Sequence, residues 1–148
     1  MTAKTLFGLE GVLAEELQNI GAKNIERGKR AVFFEGDMKL LMKANLSLRT
    51  ALSVLRPIHE FAARNEKKLY FNVRNFPWEF FIGEGQTFSM TVTLNSDTFT
   101  HSKYVLHKTK DGIIDRLRDL RGERPSIDRA NPDIRLNIHV LERKFTIS

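Results

Sequence analysis

The side chains best suited to chemistry in this 148-residue sequence are cations, and they are concentrated between residues 103 and 124. Seven basic residues stand there against four acidic ones, a surplus of three positive charges. The basic residues are Lys103, Lys108, Lys110, Arg116, Arg118, Arg121 and Arg124. Because lysine and arginine bind phosphate oxygens, this density indicates a surface that could follow a nucleic-acid backbone. The alternative is a solvated helix face whose charges pair with one another, as Lys108 could with Asp111.

Groups typical of catalysis are not arranged for it. The four histidines, at positions 59, 101, 107 and 139, have no metal-ligand spacing, and the chain has no cysteine. No serine has the flanking glycines of a nucleophile elbow, and no pair of carboxylates stands out. The segment Gly83-Glu84-Gly85 lacks the later glycines and the preceding strand of a dinucleotide-binding loop. We therefore expect no catalytic residue and no metal site in this sequence.

The overall composition agrees with a binding role. The net charge is +6, and the hydrophobic fraction of 41% is enough for a packed core. A basic protein of this kind can bind an anionic partner, nucleic acid above all. No apolar run approaches the roughly 20 residues that cross a bilayer, and the start lacks a signal peptide. We expect a cytoplasmic protein with no membrane partner.

One long helix must position the cations. The segment Thr100-His101-Ser102 predicts its N-terminal cap, and Gly122 and Pro125 predict its end. At 100° per residue, one narrow apolar stripe follows the helix, which we expect to pack on a sheet. The stripe is formed by Leu106, Ile113, Leu117 and Leu120, with Ile114 at its edge. Gly112 lies mid-helix, which predicts a close backbone approach to a strand.

Seven residues are candidates for an RNA-binding face. They are Ser102, Lys103, His107, Lys108, Lys110, Arg124 and Arg135. Ser102 is expected to bind phosphate at the helix N-terminus. Arg135 belongs to the polar face of a predicted strand from Ile134 to Leu141, where an ion pair within the domain is an equal alternative. Tyr104 could stack on a base or use its hydroxyl.

The first sixty residues predict a βαββαβ order, typical of a ferredoxin-like domain. A short strand that turns at Gly8 is expected from Thr5 to Leu9, followed by a helix up to Gly21 and a hairpin around Gly28-Lys29. Asp37 can cap a second helix, and Leu52 to Phe61 predicts a strand in which Pro57 indicates an edge or a bulge. A polar stretch after residue 61 predicts a domain junction.

The remaining residues predict a second α/β domain. A helix from Lys67 to Asn75 precedes an aromatic run, Phe76 to Phe81, in which Trp78 is expected to be core rather than a base-stacking residue. A strand from Thr87 to Leu94, the basic helix and two more strands follow. We expect an α+β fold with domains over residues 1–61 and 62–148, the C-terminal strand being truncated.

Four stretches carry a resemblance to a known family: TLFGLEGVLAEELQNIGA, ANLSLRTA, THSKYVLHKTKDGIIDRLRD and RPSIDRANPDIRLNIHV. In these the chain resembles bacterial 23S rRNA guanine-N2 methyltransferases of the RlmL/YcbY type, which are often labelled N6-adenine-specific DNA methylases. The resemblance implies a ferredoxin-like domain followed by a THUMP domain, an RNA-binding module. It also implies a C-terminal methyltransferase domain in cis, which uses S-adenosylmethionine.

The sequence departs from that family by lacking a glycine-rich cofactor loop and the Asn/Asp-Pro-Pro-Tyr/Phe motif of amino methylation. The resemblance therefore implies the RNA-binding and substrate-positioning part of an rRNA methyltransferase, without cofactor or catalysis of its own, and with 23S rRNA as partner. Two alternatives stay open. The chain could be a scaffold that docks the catalytic domain or a ribosomal protein through Phe76 to Phe81, or the recognition part of a DNA adenine methylase.

Overall fold

The structure, a computed structural model, describes residues 1–148 and contains four α-helices, a single 3-10 turn and eight strands. The chain divides into two compact units, Met1–Pro57 and Ile58–Ser148, each with a four-stranded sheet and its own apolar core. The predicted α+β class is confirmed. The units divide a few residues before the boundary expected at residues 61 and 62.

The first unit has the predicted βαββαβ order. Its elements are β1 (Thr2–Thr5), α1 (Glu10–Asn19), β2 (Lys23–Arg27), β3 (Ala31–Glu35), α2 (Met38–Ser47) and β4 (Ala51–Leu55). The strands lie in the order β2-β3-β1-β4, and all neighbours are antiparallel. Asp37 caps α2 as expected, because its Oδ1 accepts a hydrogen bond from the Leu40 amide at 2.8 Å.

The predicted strand from Thr5 to Leu9 is wrong, because pairing ends at Thr5. Gly8 has a φ of 90°, and its amide donates to the Glu10 carboxylate at 2.8 Å, so the chain turns there. Leu6 and Phe7 gave the segment its strand-like pattern, but they are 51% and 74% exposed. These apolar side chains therefore belong to an exposed turn and not to a paired strand.

The predicted strand from Leu52 to Phe61 is also wrong, because it is two strands in two different sheets. β4 ends at Leu55, and β5 (His59–Ala62) pairs with the last strand of the second unit. Pro57, which lacks an amide hydrogen, lies between them. Sequence alternation runs on across the proline, so the pattern alone did not show that the chain changes sheets.

The second unit continues with α3 (Glu66–Asn75), a 3-10 turn (Trp78–Phe80), β6 (Phe88–Asn95), α4 (Ser102–Arg121), β7 (Ile134–Leu141) and β8 (Lys144–Ile147). The strand order is β5-β8-β7-β6. β6 runs parallel to β7, and the other neighbours are antiparallel. Both long helices contribute to the core that covers one face of this sheet.

Trp78 is confirmed as a core residue. It is fully buried, and its Nε1 donates to the Val73 carbonyl oxygen at 2.6 Å. Phe76 and Phe81 pack against the same core, whereas Phe80 is 81% exposed. The aromatic run is therefore mainly internal.

The buried face of α4 differs from the predicted stripe. Its buried residues are Val105, Thr109, Gly112, Ile113 and Leu117. Leu120 is 54% exposed, so the stripe ends one turn earlier than expected. The helix packs on β6 and also on α3, and this second contact rotates the buried face away from Leu106.

Gly112 makes the predicted close approach, but to a helix rather than to a strand. A Cβ at this position would lie 2.9 Å from Val73 Cγ1 and 3.2 Å from the Tyr70 carbonyl oxygen, both on α3. Val73 is fully buried and Tyr70 contributes backbone, so neither can move away cheaply. The absence of a side chain thus lets α3 and α4 meet.

We predict that Gly112→Ala lowers the free energy of unfolding by about 1–2 kcal/mol. The overpacking cost of about 1–3 kcal/mol exceeds the roughly 1 kcal/mol that alanine adds in helix propensity. Chemical denaturation measures it. Asp111→Ala, on the exposed side of the same helix, is the control and is expected to leave stability unchanged or slightly raised; a stabilising Gly112→Ala would contradict the close contact.

His59 is the titratable group that this core surrounds most closely. Its ring stacks on Phe76 with centroids 4.3 Å apart and lies 4.8 Å from Phe61. Its Nε2 donates to the Asn72 carbonyl oxygen at 3.3 Å. Burial lowers the pKa of His59, because the charged imidazolium loses its water, and the bond to Asn72 offsets this only in part.

We predict that stability falls when the pH is lowered through about 6.5, the pKa of an unperturbed histidine. Below this pH the unfolded chain binds a proton at His59, whereas the folded chain, with its lower His59 pKa, does not. Protonation therefore favours unfolding until the pH falls below the folded pKa. Thermal melting between about pH 5 and 7.5 measures it. His59→Phe keeps the stacking and should flatten this slope, whereas His107→Gln should retain it.

Candidate nucleic-acid interface

Two acidic residues of α4, Asp115 and Asp119, are held at the contact with α3. Asp115 accepts a hydrogen bond from the Tyr70 hydroxyl at 2.6 Å, and Asp119 pairs with Arg74 at 2.6 Å. Asp115 also pairs with Arg118 one turn along the same helix at 2.9 Å. The hydrogen bond to Asp115 raises the pKa of Tyr70, so that hydroxyl stays protonated as a donor. Two of the four acids in this region therefore act within the fold.

Two arginines of α4 are also fixed internally. Arg116 forms a two-pronged contact with the Glu79 carboxylate, at 2.6 and 3.2 Å. Arg121 donates to the carbonyl oxygens of Glu79 and Ile82, at 3.2 and 2.7 Å. The Arg116 guanidinium lowers the pKa of Glu79, so this carboxylate stays charged. These arginines anchor the 3-10 turn and are not free for a ligand.

The remaining basic residues on one flank of α4 have no ion pair. Lys103, His107 and Lys110 follow each other at spacings of four and three residues, so they lie on one side of the helix. Lys103 and His107 are exposed, Lys110 is partly exposed, and none forms a salt bridge. The contact with α3 takes up acids on another side, which leaves this row unneutralised. We call these three residues the cationic row.

Lys108 lies away from the cationic row. At 100° per residue it shares the side of Tyr104, and its Nζ is 5.7 Å from the centre of that ring. It makes no salt bridge with Asp111, so the pair that illustrated the solvated-face alternative does not form. The Tyr104 hydroxyl donates to Glu66 on α3, which raises its pKa. Tyr104 therefore uses its hydroxyl inside the fold.

The other three candidates occupy three different places. Ser102 is the first residue of α4, after His101, which caps the helix without a side-chain hydrogen bond. Arg124 is exposed in the loop beyond Gly122, whose left-handed backbone ends the helix as predicted. Arg135 is exposed on β7 and alternates with the buried Leu136, so it lies on the sheet face opposite the helices. The structure does not gather all seven candidates on one surface.

A cleft that the sequence did not predict lies beside Ser102. Its volume is about 550 Å³, and it is formed where α3 and α4 begin. Its lining residues include Arg64, Lys67 and His101, together with Glu66, whose carboxylate accepts from Tyr104. Asn65, between the two basic side chains, caps α3 by accepting from the Lys68 amide at 2.9 Å. The asparagine cap was the available signal, but the composition of this polar stretch predicted a domain junction.

The arrangement offers binding chemistry. No group of three or more histidine, cysteine, aspartate or glutamate side chains could hold a metal ion. None of the four α-helices has an apolar stretch that could span a bilayer. The Gly83-Glu84-Gly85 segment lies before β6 rather than after a strand, and the Gly83 amide donates to Gln86 Oε1 at 2.7 Å. These residues do not form the phosphate-binding turn of a nucleotide cofactor.

Comparison with known families agrees with this architecture. Residues 1–55 match the RlmL ferredoxin-like domain, and residues 63–148 match the THUMP domain. The chain belongs to the THUMP domain family. The ferredoxin-like and THUMP domains that the resemblance implied are thus confirmed, in the expected order.

Two relatives are named ribosomal RNA large subunit methyltransferase K/L. The protein from Magnetococcus marinus is 35% identical over 138 residues, which cover 93% of this chain and 19% of the relative. The protein from Syntrophotalea carbinolica is 35% identical over 141 residues, covering 95% of this chain and 20% of the relative. The chain therefore spans about a fifth of the length of these curated relatives.

A solved structure described as a predicted N6-adenine-specific DNA methylase from Listeria monocytogenes has the same fold. Its TM-score is 0.79 at 24% identity, over 99% of this chain and 38% of that one. A possible methylase from Clostridium difficile gives a TM-score of 0.82 at 23% identity, over 99% of this chain and 39% of that one. These two likenesses show a shared fold.

We predict that Arg116→Ala lowers the free energy of unfolding by about 1 kcal/mol, because it removes a partly buried, two-pronged contact and leaves Glu79 without its partner. Lys103→Ala, in the cationic row, is the matched control and should change stability by less than about 0.5 kcal/mol. Urea denaturation of both variants measures the difference. Equal effects would mean that the charges of α4 are not divided as described.

Proposed function

We propose that this chain is the RNA-recognition part of an rRNA methyltransferase. The THUMP match, and relatives named for methylation of large-subunit ribosomal RNA, support an RNA partner, with 23S rRNA as the substrate class. Such a role belongs in the cytoplasm. The observation that carries the proposal is the cationic row, Lys103, His107 and Lys110, which stays unneutralised although acidic residues are present on the same helix.

Phosphate contacts supply the affinity in this proposal. The cationic row begins one residue after the start of α4, where the amides of the first turn point out of the helix. A phosphate at Ser102 would meet these amides, and Arg64 and Lys67 line the neighbouring cleft. An RNA strand could thus pass from the cleft along the row. Selectivity would come from RNA shape and unpaired bases rather than from groove reading.

Binding of this kind serves catalysis by holding the substrate near a tethered active site. Binding of RNA raises the effective concentration of its target guanine at a methyltransferase domain linked to these two domains in one polypeptide. S-adenosylmethionine supplies the methyl group in such enzymes, and the residues of this chain form no site that fits it. What these residues do in the proposed reaction is to bind and orient RNA.

The scaffold alternative has one observation in its favour, the exposed Phe80. The rest of the aromatic run packs inside the second unit, so the proposed contact patch shrinks to a single ring. The DNA alternative rests on the name of structural relatives. Both are retained as outcomes of the binding experiment, because hydrophobic docking tolerates salt and a DNA-recognition module prefers the deoxy strand.

We predict that Lys103→Ala/Lys110→Ala weakens RNA binding and reduces its salt dependence. If each lysine neutralises one phosphate, the slope of log affinity against log salt falls by about 1.4, at about 0.7 per phosphate of single-stranded RNA. Fluorescence anisotropy with a 23S rRNA hairpin, its single-stranded form and matched DNA, from about 50 to 200 mM salt, measures this.

Lys39→Ala/Lys144→Ala is the matched control, because it removes the same charge from exposed positions elsewhere. It should shift affinity slightly and leave the salt slope nearly unchanged. If both double variants change the affinity and the salt slope equally, net charge alone accounts for binding. The placement of the RNA site on α4 is then wrong. Absence of RNA binding at the lower salt would favour the scaffold, and tighter binding to DNA would favour the DNA alternative.

A further inference from the structure

The two edges of the second sheet differ in how they are protected. β5 has four residues, follows Pro57 closely and carries Glu60, all of which discourage pairing with another strand. β6 has eight residues and contains no charge, no proline and no bulge. A long, regular and uncharged edge is a template for a further strand.

The backbone of β6 shows which groups are free. Thr87 accepts from the Ile134 amide at 3.0 Å, so odd-numbered residues of β6 face β7. The backbone groups of Phe88 point away from β7, where its amide donates to the Ser126 carbonyl oxygen and its carbonyl oxygen accepts from the Asp128 amide. By alternation the amides and carbonyl oxygens of Met90, Val92 and Leu94 also point away from β7. They have no backbone partner within the chain.

The chain itself uses only the start of this edge. The isolated parallel bridge between Phe88 and Ile127 shows that the edge accepts a strand. Pairing stops there because Asp128 Oδ1 accepts from the amides of Ala130 and Asn131, at 2.9 and 3.1 Å, which turns the loop away. The stretch from Met90 to Leu94 is left open.

The sequence of this stretch is nearly symmetric about Val92. Residues 89 to 95 read Ser-Met-Thr-Val-Thr-Leu-Asn, so residues at equal distances from Val92 match in kind. We propose that two copies of this chain pair through β6, antiparallel, with the two-fold axis at Val92. Each residue of one strand then lies opposite the residue of the other strand that is equally far from Val92 on its other side. An isologous interface requires this self-complementarity.

The proposed register places suitable side chains opposite each other. Thr91 of one copy lies opposite Thr93 of the other, a favourable cross-strand pair on the exposed sheet face. Met90 lies opposite Leu94 on the face that carries the core, where both side chains are only partly buried within one copy. Because β6 carries no charge, the net charge of +6 on each copy is not focused at the contact.

A charge-exchange experiment tests both the pairing and its register. Thr91→Lys/Thr93→Lys places lysine opposite lysine at two points and should raise the dimer dissociation constant at least about tenfold. Thr91→Lys/Thr93→Glu places lysine opposite glutamate and should restore dimer formation. Both variants lose the hydrogen bond from Asn137 to Thr91 Oγ1, so their difference reports the contact between copies.

Sedimentation equilibrium of the 148-residue chain, with melting curves to confirm folding, measures these constants. Thr146→Lys, on the central strand β8, is the control and should leave the dissociation constant within about twofold. A chain that is monomeric at every concentration overturns the proposal. So does a dimer on which the two Thr91/Thr93 variants have equal effects.

Cysteine cross-linking gives an independent test, because the chain has no cysteine of its own. Val92→Cys puts the two sulfur atoms across the axis, where opposite Cα atoms lie about 5.5 Å apart, within the range of a disulfide. With Met90→Cys each new cysteine lies opposite Leu94 of the other copy, so the two sulfur atoms are several residues apart. Mild oxidation should therefore give a covalent dimer with Val92→Cys and little with Met90→Cys; equal yields would exclude the register.

Discussion

The contact between α3 and α4 is the constraint on which the rest of the second unit depends. Gly112 lets the helices approach until Val73 fills the position of the missing side chain. At that distance Tyr70 and Arg74 reach Asp115 and Asp119. These polar contacts fix the rotation of α4 about its axis. Rotation in turn decides which residues of a helix face the core and which face the surroundings.

Rotation also divides the charges of α4 by role. A helix with this many basic and acidic residues could neutralise itself through pairs three or four residues apart, each worth a few tenths of a kcal/mol. Only Asp115 and Arg118 form such a pair here. Asp115 and Asp119 contact α3, two arginines contact the 3-10 turn, and one flank keeps its basic residues unpaired. The contacts that α4 makes with α3 and with the 3-10 turn on its other side thus leave a surface that can bind anions.

Much of this fold could be predicted from sequence, because helix caps, glycine stops and alternating strands are local signals. The βαββαβ order, the end of α4 at Gly122 and the burial of Trp78 follow from such signals. Apart from the turn at Gly8, the failures came from long-range packing. Nothing local shows that β5 leaves the sheet of β4, or that Gly112 faces a helix. Sequence proposed seven site residues; which share a surface depends on helix rotation and sheet face, which only the packed structure defines.

The pairing of β5 with β8 has a consequence for the order of folding. His59 lies opposite Ile147, so the first strand of the second unit waits for the last one before its sheet can close. The first unit closes in the same way, because β1 pairs with β4, but it needs only residues 2–55. On a ribosome, where chains emerge from the N-terminus, the first unit should be complete while the second is still an open set of helices and strands. The sheet behind α4 would therefore be complete only after β8 has emerged, later than the sheet of the first unit.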